Sequence, residues 1–275
     1  MDRCSPRLLM RVRNLINSKD KKKDFELFYH PIQFERLQEG PTCGFFAIQA
    51  CYNFFHGCNS NLPKITVDAL VEYAREKNYT NFGECFSADW LADVAQHAFG
   101  ERAVVMSTTL PTANEIFAAL ANDFLVPKVF LVPYDCDKNF EPCKRNGESA
   151  HWAIICGFLI SKQKEALSTR HDDYMLTESL DWFSGLSNSV NFDINDFYII
   201  AYHGKSRHPA LWSFKALSDS NAQLIRADAH RVAQFCLPYF DSLNDLCAGV
   251  SFLCSTQCSF GYSVSRATPR RTEPV

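Results

Sequence analysis

No stretch of this sequence comes near the roughly 18 consecutive apolar residues that a membrane-spanning helix requires. The first residues, MDRCSPR, carry charge and a proline where a secretory signal needs an apolar core. Charge of one sign is missing too: 28 Lys and Arg stand against 31 Asp and Glu, a net −3 over 275 residues. That balance gives no electrostatic reason to expect nucleic acid or an anionic membrane as partner. There is also no Cys-x2-Cys pair. The nearest spacings are Cys254/Cys258, then Cys51/Cys58, Cys136/Cys143 and Cys247/Cys254, and none is followed by a histidine pair at finger spacing. No metal and no other cofactor is expected. The absences together point to a cytoplasmic chain most of whose 12 cysteines are reduced, small and mostly buried.

What is present is ordinary globular composition, 47% apolar and 21% charged. Residues 1–30 are polar and basic, with the charge cluster KDKKKD (19–24), and read as a solvated leader. The run FFAIQACYNFF (45–55) is apolar on nearly every side, as suits a central buried helix. Further helices fit 66–76, 87–99 and 113–121, with Thr66 or Asp68 capping the first of these and Ser87 the second. The pattern then changes to short β-type runs at 128–134, 151–160, 197–203 and 210–214. Helices first and strands later indicate an α+β fold: a helical N-terminal half packed on a mainly antiparallel sheet. The expected organisation is one domain over 31–254, with 161–195 as an inserted loop and 255–275 as a disordered tail.

The stretch LQEGPTCG (37–44) places Cys43 at the start of the central helix. A thiol there faces unpaired backbone N–H groups and the positive end of the helix dipole, both of which stabilise thiolate. Gln38 carries a side-chain amide that, with the Cys43 N–H, would form an oxyanion hole for attack on an amide carbonyl. His151 opens the apolar strand HWAIICGF, rigidly held yet beside a polar loop, and is the candidate base. A third group should orient its imidazole. His203, at the end of FYIIAYH, and Asp219 are the two candidates, nearly even: the first has the better position, the second the better chemistry.

Four blocks resemble the actin maturation protease family: LQEGPTCG (37–44), GECFS (83–87), VPYDCD through EPC to AHWA (132–153), and HGKSRH through LW to DSN (203–221). The resemblance implies a papain-like cysteine peptidase that acts as an aminopeptidase, removing N-acetylated Met or Cys from the N-terminus of new actin. It makes Cys43 the nucleophile, His151 the base and Gln38 the oxyanion donor. Actin N-termini are acidic, so Lys144, Arg145, Lys205 and Arg207 become candidates for substrate binding. Vertebrate relatives carry a long proline-rich leader suited to profilin, whereas about thirty non-proline-rich residues precede the domain here, which leaves profilin as a partner open. A peptidase or isopeptidase with another protein substrate, and a catalytically weak actin-binding scaffold, are the competing readings.

Overall fold

The structure, a computed structural model, describes residues 5–19, 23–56, 62–121, 128–163, 192, 194–225, 227, 232–238 and 248–254. In chain order the elements are α1 (Pro6–Asn17), β1 (Lys23–Tyr29), α2 (Cys43–His56), α3 (Val67–Glu76), α4 (Ala88–Phe99), β2 (Ala103–Thr109), α5 (Ala113–Ala121), β3 (Lys128–Cys136), β4 (Pro142–Cys143), β5 (Ala150–Gln163), β6 (Tyr198–Tyr202), β7 (Ala210–Ser213), α6 (Phe214–Asn221) and β8 (Ala248–Cys254). Strand order is β2-β8-β3-β5-β6-β7, with β1 added beside β5 and β4 beside β3; every described pairing is antiparallel.

The long strand β5 organises the sheet. Its first half pairs with β3 and its second half with β1, while β6 lies along the other side. The register to β6 shifts between Ile155 and Gly157, a bulge that changes which residues face which side. Before it, Trp152, Ile154 and Cys156 share a core with α1–α4; after it, Leu159 takes that face. Ala153, Ile155, Phe158 and Ile160 join α5 and α6 on the opposite face. Both faces are therefore covered, which is why the strands read as continuous apolar runs instead of alternating. A Cβ at Gly157 would sit inside the van der Waals shells of Tyr29 and the Phe28 carbonyl, so β1 closes on β5 only because that residue is glycine.

Helices α3 and α4 begin as their sequences prescribe: Thr66 accepts from the Ala69 N–H at 3.2 Å and Ser87 from the Trp90 N–H at 3.3 Å. Other expectations need correction. The supposed leader is structural, because Leu8, Val12 and Ile16 of α1 are buried in the core and β1 is a strand of the sheet. Within KDKKKD, Lys19 at 2.8 Å and Lys23 both pair with buried Asp196, while residues 20–22 lie outside the described ones. The N-terminal half is not all helix, since β1 and β2 belong to it. The inserted loop starts later than expected, because β5 runs on to Gln163; most of 164–193 and all of the tail 255–275 lie outside the described residues.

Candidate active site

A turn containing Gly40 at φ +59° leads into α2, whose first residue is Cys43. Thr42 fixes that turn: its hydroxyl donates to the Glu39 carbonyl at 2.7 Å, and its own carbonyl accepts from Phe46 N–H at 2.8 Å. Burial raises the Cys43 thiol above its ordinary pKa. The backbone N–H groups of Trp152, Gly44 and Cys43 itself, and then the charge on Lys205, pull it partly back. Two glycines permit the close approach. A Cβ on Gly44 would stand 2.9 Å from the Leu91 side chain and 3.3 Å from Trp152, and one on Gly83, at φ +108°, 2.6 Å from the Thr42 methyl. The Trp152 indole donates to the Cys85 carbonyl at 2.9 Å, tying GECFS to the strand beside the thiol.

The residue before Trp152 is His151. Its buried ring places Nε2 2.6 Å from the His203 carbonyl oxygen. A carbonyl only accepts, so Nε2 carries the proton and Nδ1 is the nitrogen left to take one. Burial pushes this imidazole down to about 4; the His203 carbonyl opposes that shift and Lys205 adds to it. Burial thus disfavours the charged form of each group, thiolate at Cys43 and imidazolium at His151.

The third group is a surprise in kind. His203 serves His151 through its backbone, while its side chain stacks between Phe140 (centroids 5.0 Å apart, 8° between planes) and Trp212 (6.3 Å, 19°). Its Nδ1 accepts the Lys205 N–H at 3.3 Å, and burial, then the neighbouring His151, lower it to about 4. Asp219 is bound elsewhere: it holds Lys144 and Lys215, each at 3.0 Å, and those hydrogen bonds lower its pKa. Its expected bond to His151 is replaced by that of the His203 carbonyl, because α6 carries Asp219 on the outward side from Ser220 and Asn221, which bond β3.

Gln38 is buried and woven to the His203 loop. Its N–H donates to the Gly204 carbonyl at 2.9 Å and its own carbonyl accepts from Lys205 Nζ at 2.9 Å. Its side-chain Nε2 donates to the Gly40 carbonyl, and Oε1 is buried with no partner among the described residues. Of the four expected cations, Lys205 alone belongs to this cluster. Lys144 is held by Asp219, Arg145 donates to the Ser149 hydroxyl at 3.2 Å, and Arg207 donates to the Glu35 carbonyl at 3.2 Å.

Two features escape sequence reasoning. Fully buried Asp135, on β3, accepts the N–H groups of Arg145 and Gly147 at 2.8 Å and of Ser149 at 3.0 Å, which shapes the loop that delivers His151. Arg7 and Arg11, on α1, line a cavity of about 230 Å³ with Phe140, Glu141, His203, Lys205 and His208, and Arg11 pairs there with Glu141 at 3.2 Å. The Leu8, Val12, Ile16 spacing was the signal for α1, and its polar flank hid these arginines.

Residues 34–159 match the family model described as actin maturation protease-like, C-terminal domain. The chain is similar to proteins named actin maturation protease: 34% identical over 209 residues to that of Xenopus tropicalis (74% of this chain, 65% of the relative). The corresponding figures are 30% over 203 residues for Danio rerio (72% and 63%) and 28% over 232 for Homo sapiens (81% and 64%). The chain thus spans a little under two thirds of the length of these relatives. No solved structure matches it.

Proposed function

We propose that this chain, whose residues 34–159 match the actin maturation protease-like family model, is a papain-like cysteine aminopeptidase of that family. Its substrate is the N-terminus of immature actin, met in the cytoplasm, from which it removes an N-acetylated Met or Cys. One observation carries the reading: a thiol at the first residue of α2 lies against the Trp152 N–H, and the residue before Trp152 is His151, whose Nε2–H is held by the His203 carbonyl.

In this reading His151 Nδ1 takes the Cys43 proton as the thiolate sulfur attacks the carbonyl of the N-terminal residue. The Cys43 N–H and the Gln38 amide hold the oxyanion, for which Gln38 exchanges the Gly40 carbonyl for the developing charge. The C–N bond breaks, His151 returns the proton to the leaving amine, and a thioester remains. His151 then deprotonates a water that hydrolyses it, releasing the acetylated amino acid and free thiol. The His203 carbonyl keeps the imidazole in the reactive tautomer throughout. Lys205 and the Arg7–Arg11 cavity supply the positive potential for acidic residues of the leaving chain. Gln38→Ala is expected to lower kcat by about 10²- to 10³-fold with little change in KM, read in steady-state peptide assays.

The test is mass spectrometry of acetyl-Met-Asp-Asp and acetyl-Cys-Asp peptides, beside a ubiquitin probe, after incubation with the protein. Release of the acetylated first residue is the expected result. Reaction with the ubiquitin probe alone selects the isopeptidase reading, and turnover of neither substrate selects the binding scaffold.

A further inference from the structure

Two described stretches that follow α6, 222–225 and 232–238, are fastened to different parts of the fold. In the first, Gln223 donates to Asp135 at 2.6 Å and accepts from the Asn146 N–H, so it is fastened to the loop that delivers His151. Further on, residues 232–238 are fastened to the turn that holds Asn81 and Glu84. The Cys236 N–H donates to Glu84 Oε1 at 3.3 Å, and Asn81 Nδ2 donates to the Gln234 carbonyl at 2.7 Å. The Phe235 and Phe86 rings lie 5.0 Å apart. A small apolar cluster of Phe86, Leu224 and Ala227 joins these fastenings, with Ala150, Phe235 and Leu237 packed on it.

The position of this cluster is what matters. Ala150 is the residue before His151, and Phe86 follows Cys85, whose carbonyl holds the Trp152 indole beside the thiol. Glu84 is itself a built anchor: it is buried, and its carboxylate also accepts the Asn81 and Phe82 N–H groups at 2.9 and 2.8 Å. Burial works against its charge, but the N–H bonds prevail and hold its pKa below the ordinary carboxylate range. The anchor is thus charged, and its bond to Cys236 is a charge-assisted one. The basic cavity, by contrast, opens on the His203 side of His151.

We propose that residues 232–238 close the end of the cleft between Phe86 and Ala150, so that a peptide reaches Cys43 only with its terminus against this segment. The inference rests on the peptidase reading above and deepens it. It makes trimming of a terminal residue a matter of obstruction, with Phe235 as a specificity-determining residue that touches no reacting atom. Peptide upstream of the scissile bond has no path, whereas downstream acidic residues run toward Arg7, Arg11 and Lys205.

Two peptides with one scissile bond test it. The first carries a single acetylated Met before an acidic sequence; the second adds three residues ahead of that Met. The unsubstituted chain is expected to cut the first at least about 100-fold faster. Phe235→Ala, and separately Asn81→Ala with Glu84→Gln, are expected to raise kcat/KM on the extended peptide by 10-fold or more and to change that on the short one by under about 3-fold. Equal cleavage of both peptides by the unsubstituted chain overturns the proposal, with no variant required. So does an unchanged ratio in variants that keep a cooperative thermal transition and full activity on the short peptide. If the unsubstituted chain cuts neither, the peptidase reading itself falls and takes the inference with it.

Discussion

Cys43→Ala is expected to reduce release of an N-terminal acetylated residue by on the order of 10⁵-fold or more, the scale of losing a nucleophile outright. Binding of the acidic peptide should persist, because Arg7, Arg11 and Lys205 do not depend on the thiol. The fold should persist as well. Alanine fits the first turn of α2 and removes a half-buried sulfur that makes no structural bridge. The wild-type thiol carries its own signature. Burial raises it while His151 is lowered, so alkylation by iodoacetamide should climb with pH through the alkaline range. A plateau already reached near pH 5 would mean a preformed ion pair and would contradict this arrangement. Among the described cysteines, Cys51 and Cys156 are buried with thiols pushed up by desolvation, so labelling there should lag behind Cys43.

Acid is expected to unfold this protein between about pH 6.5 and 4. His30, His151 and His203 are each lowered by burial from near 6.5 to about 4. Between those values the unfolded chain binds the proton and the folded chain does not, so stability is full above the unfolded pKa and lost as pH falls toward 4. Each histidine contributes on the order of 3 kcal/mol at full protonation, and three together rival the whole stability of a typical domain. Urea denaturation followed by circular dichroism should give a nearly flat stability above pH 7 and a steep decline below 6. His30→Phe should lower that slope by about one third, since His30 sits among Phe28 and Phe54 and no proposed catalytic group touches it. A stability unchanged from pH 7 to 4.5 would show that these imidazoles are accessible to protons in the folded state. Over the folded range, kcat/KM should hold down to about pH 5, because His151 stays a free base there.

Much of the local structure around the candidate site was legible because neighbouring residues set it. The turn glycine and proline, the apolar run after Cys43 and the strand after His151 each declare their own conformation within a few residues. Thr66 and Ser87 act as caps for the same reason, an N-cap being a bond between neighbours. The strand β1 was not legible. Its sequence KDFELFY is polar at one end, and its place beside β5 rests on a contact more than a hundred residues away, across Gly157. Asp135 hid similarly: a lone acidic residue in an apolar strand gives no local sign that four hydrogen bonds await it.

The sequence by itself determined the types of group available: a thiol at a helix start, an imidazole at a strand start, an amide five residues before the thiol and a GECFS loop. Only the tertiary structure decided what orients the imidazole. Sequence reasoning looks for a side chain with the right chemistry, His203 or Asp219, whereas every residue carries a carbonyl and no pattern marks the one that matters. The antiparallel pairing of β5 with β6 ends at Ile154 and Tyr202, and the chain beyond Tyr202 places the His203 carbonyl at the ring of His151. The same folding turned Asp219 outward to Lys144 and Lys215 and brought Arg7 and Arg11 of α1 to the cavity beside His203. These are relations between segments far apart in the chain, and packing, not local propensity, sets them.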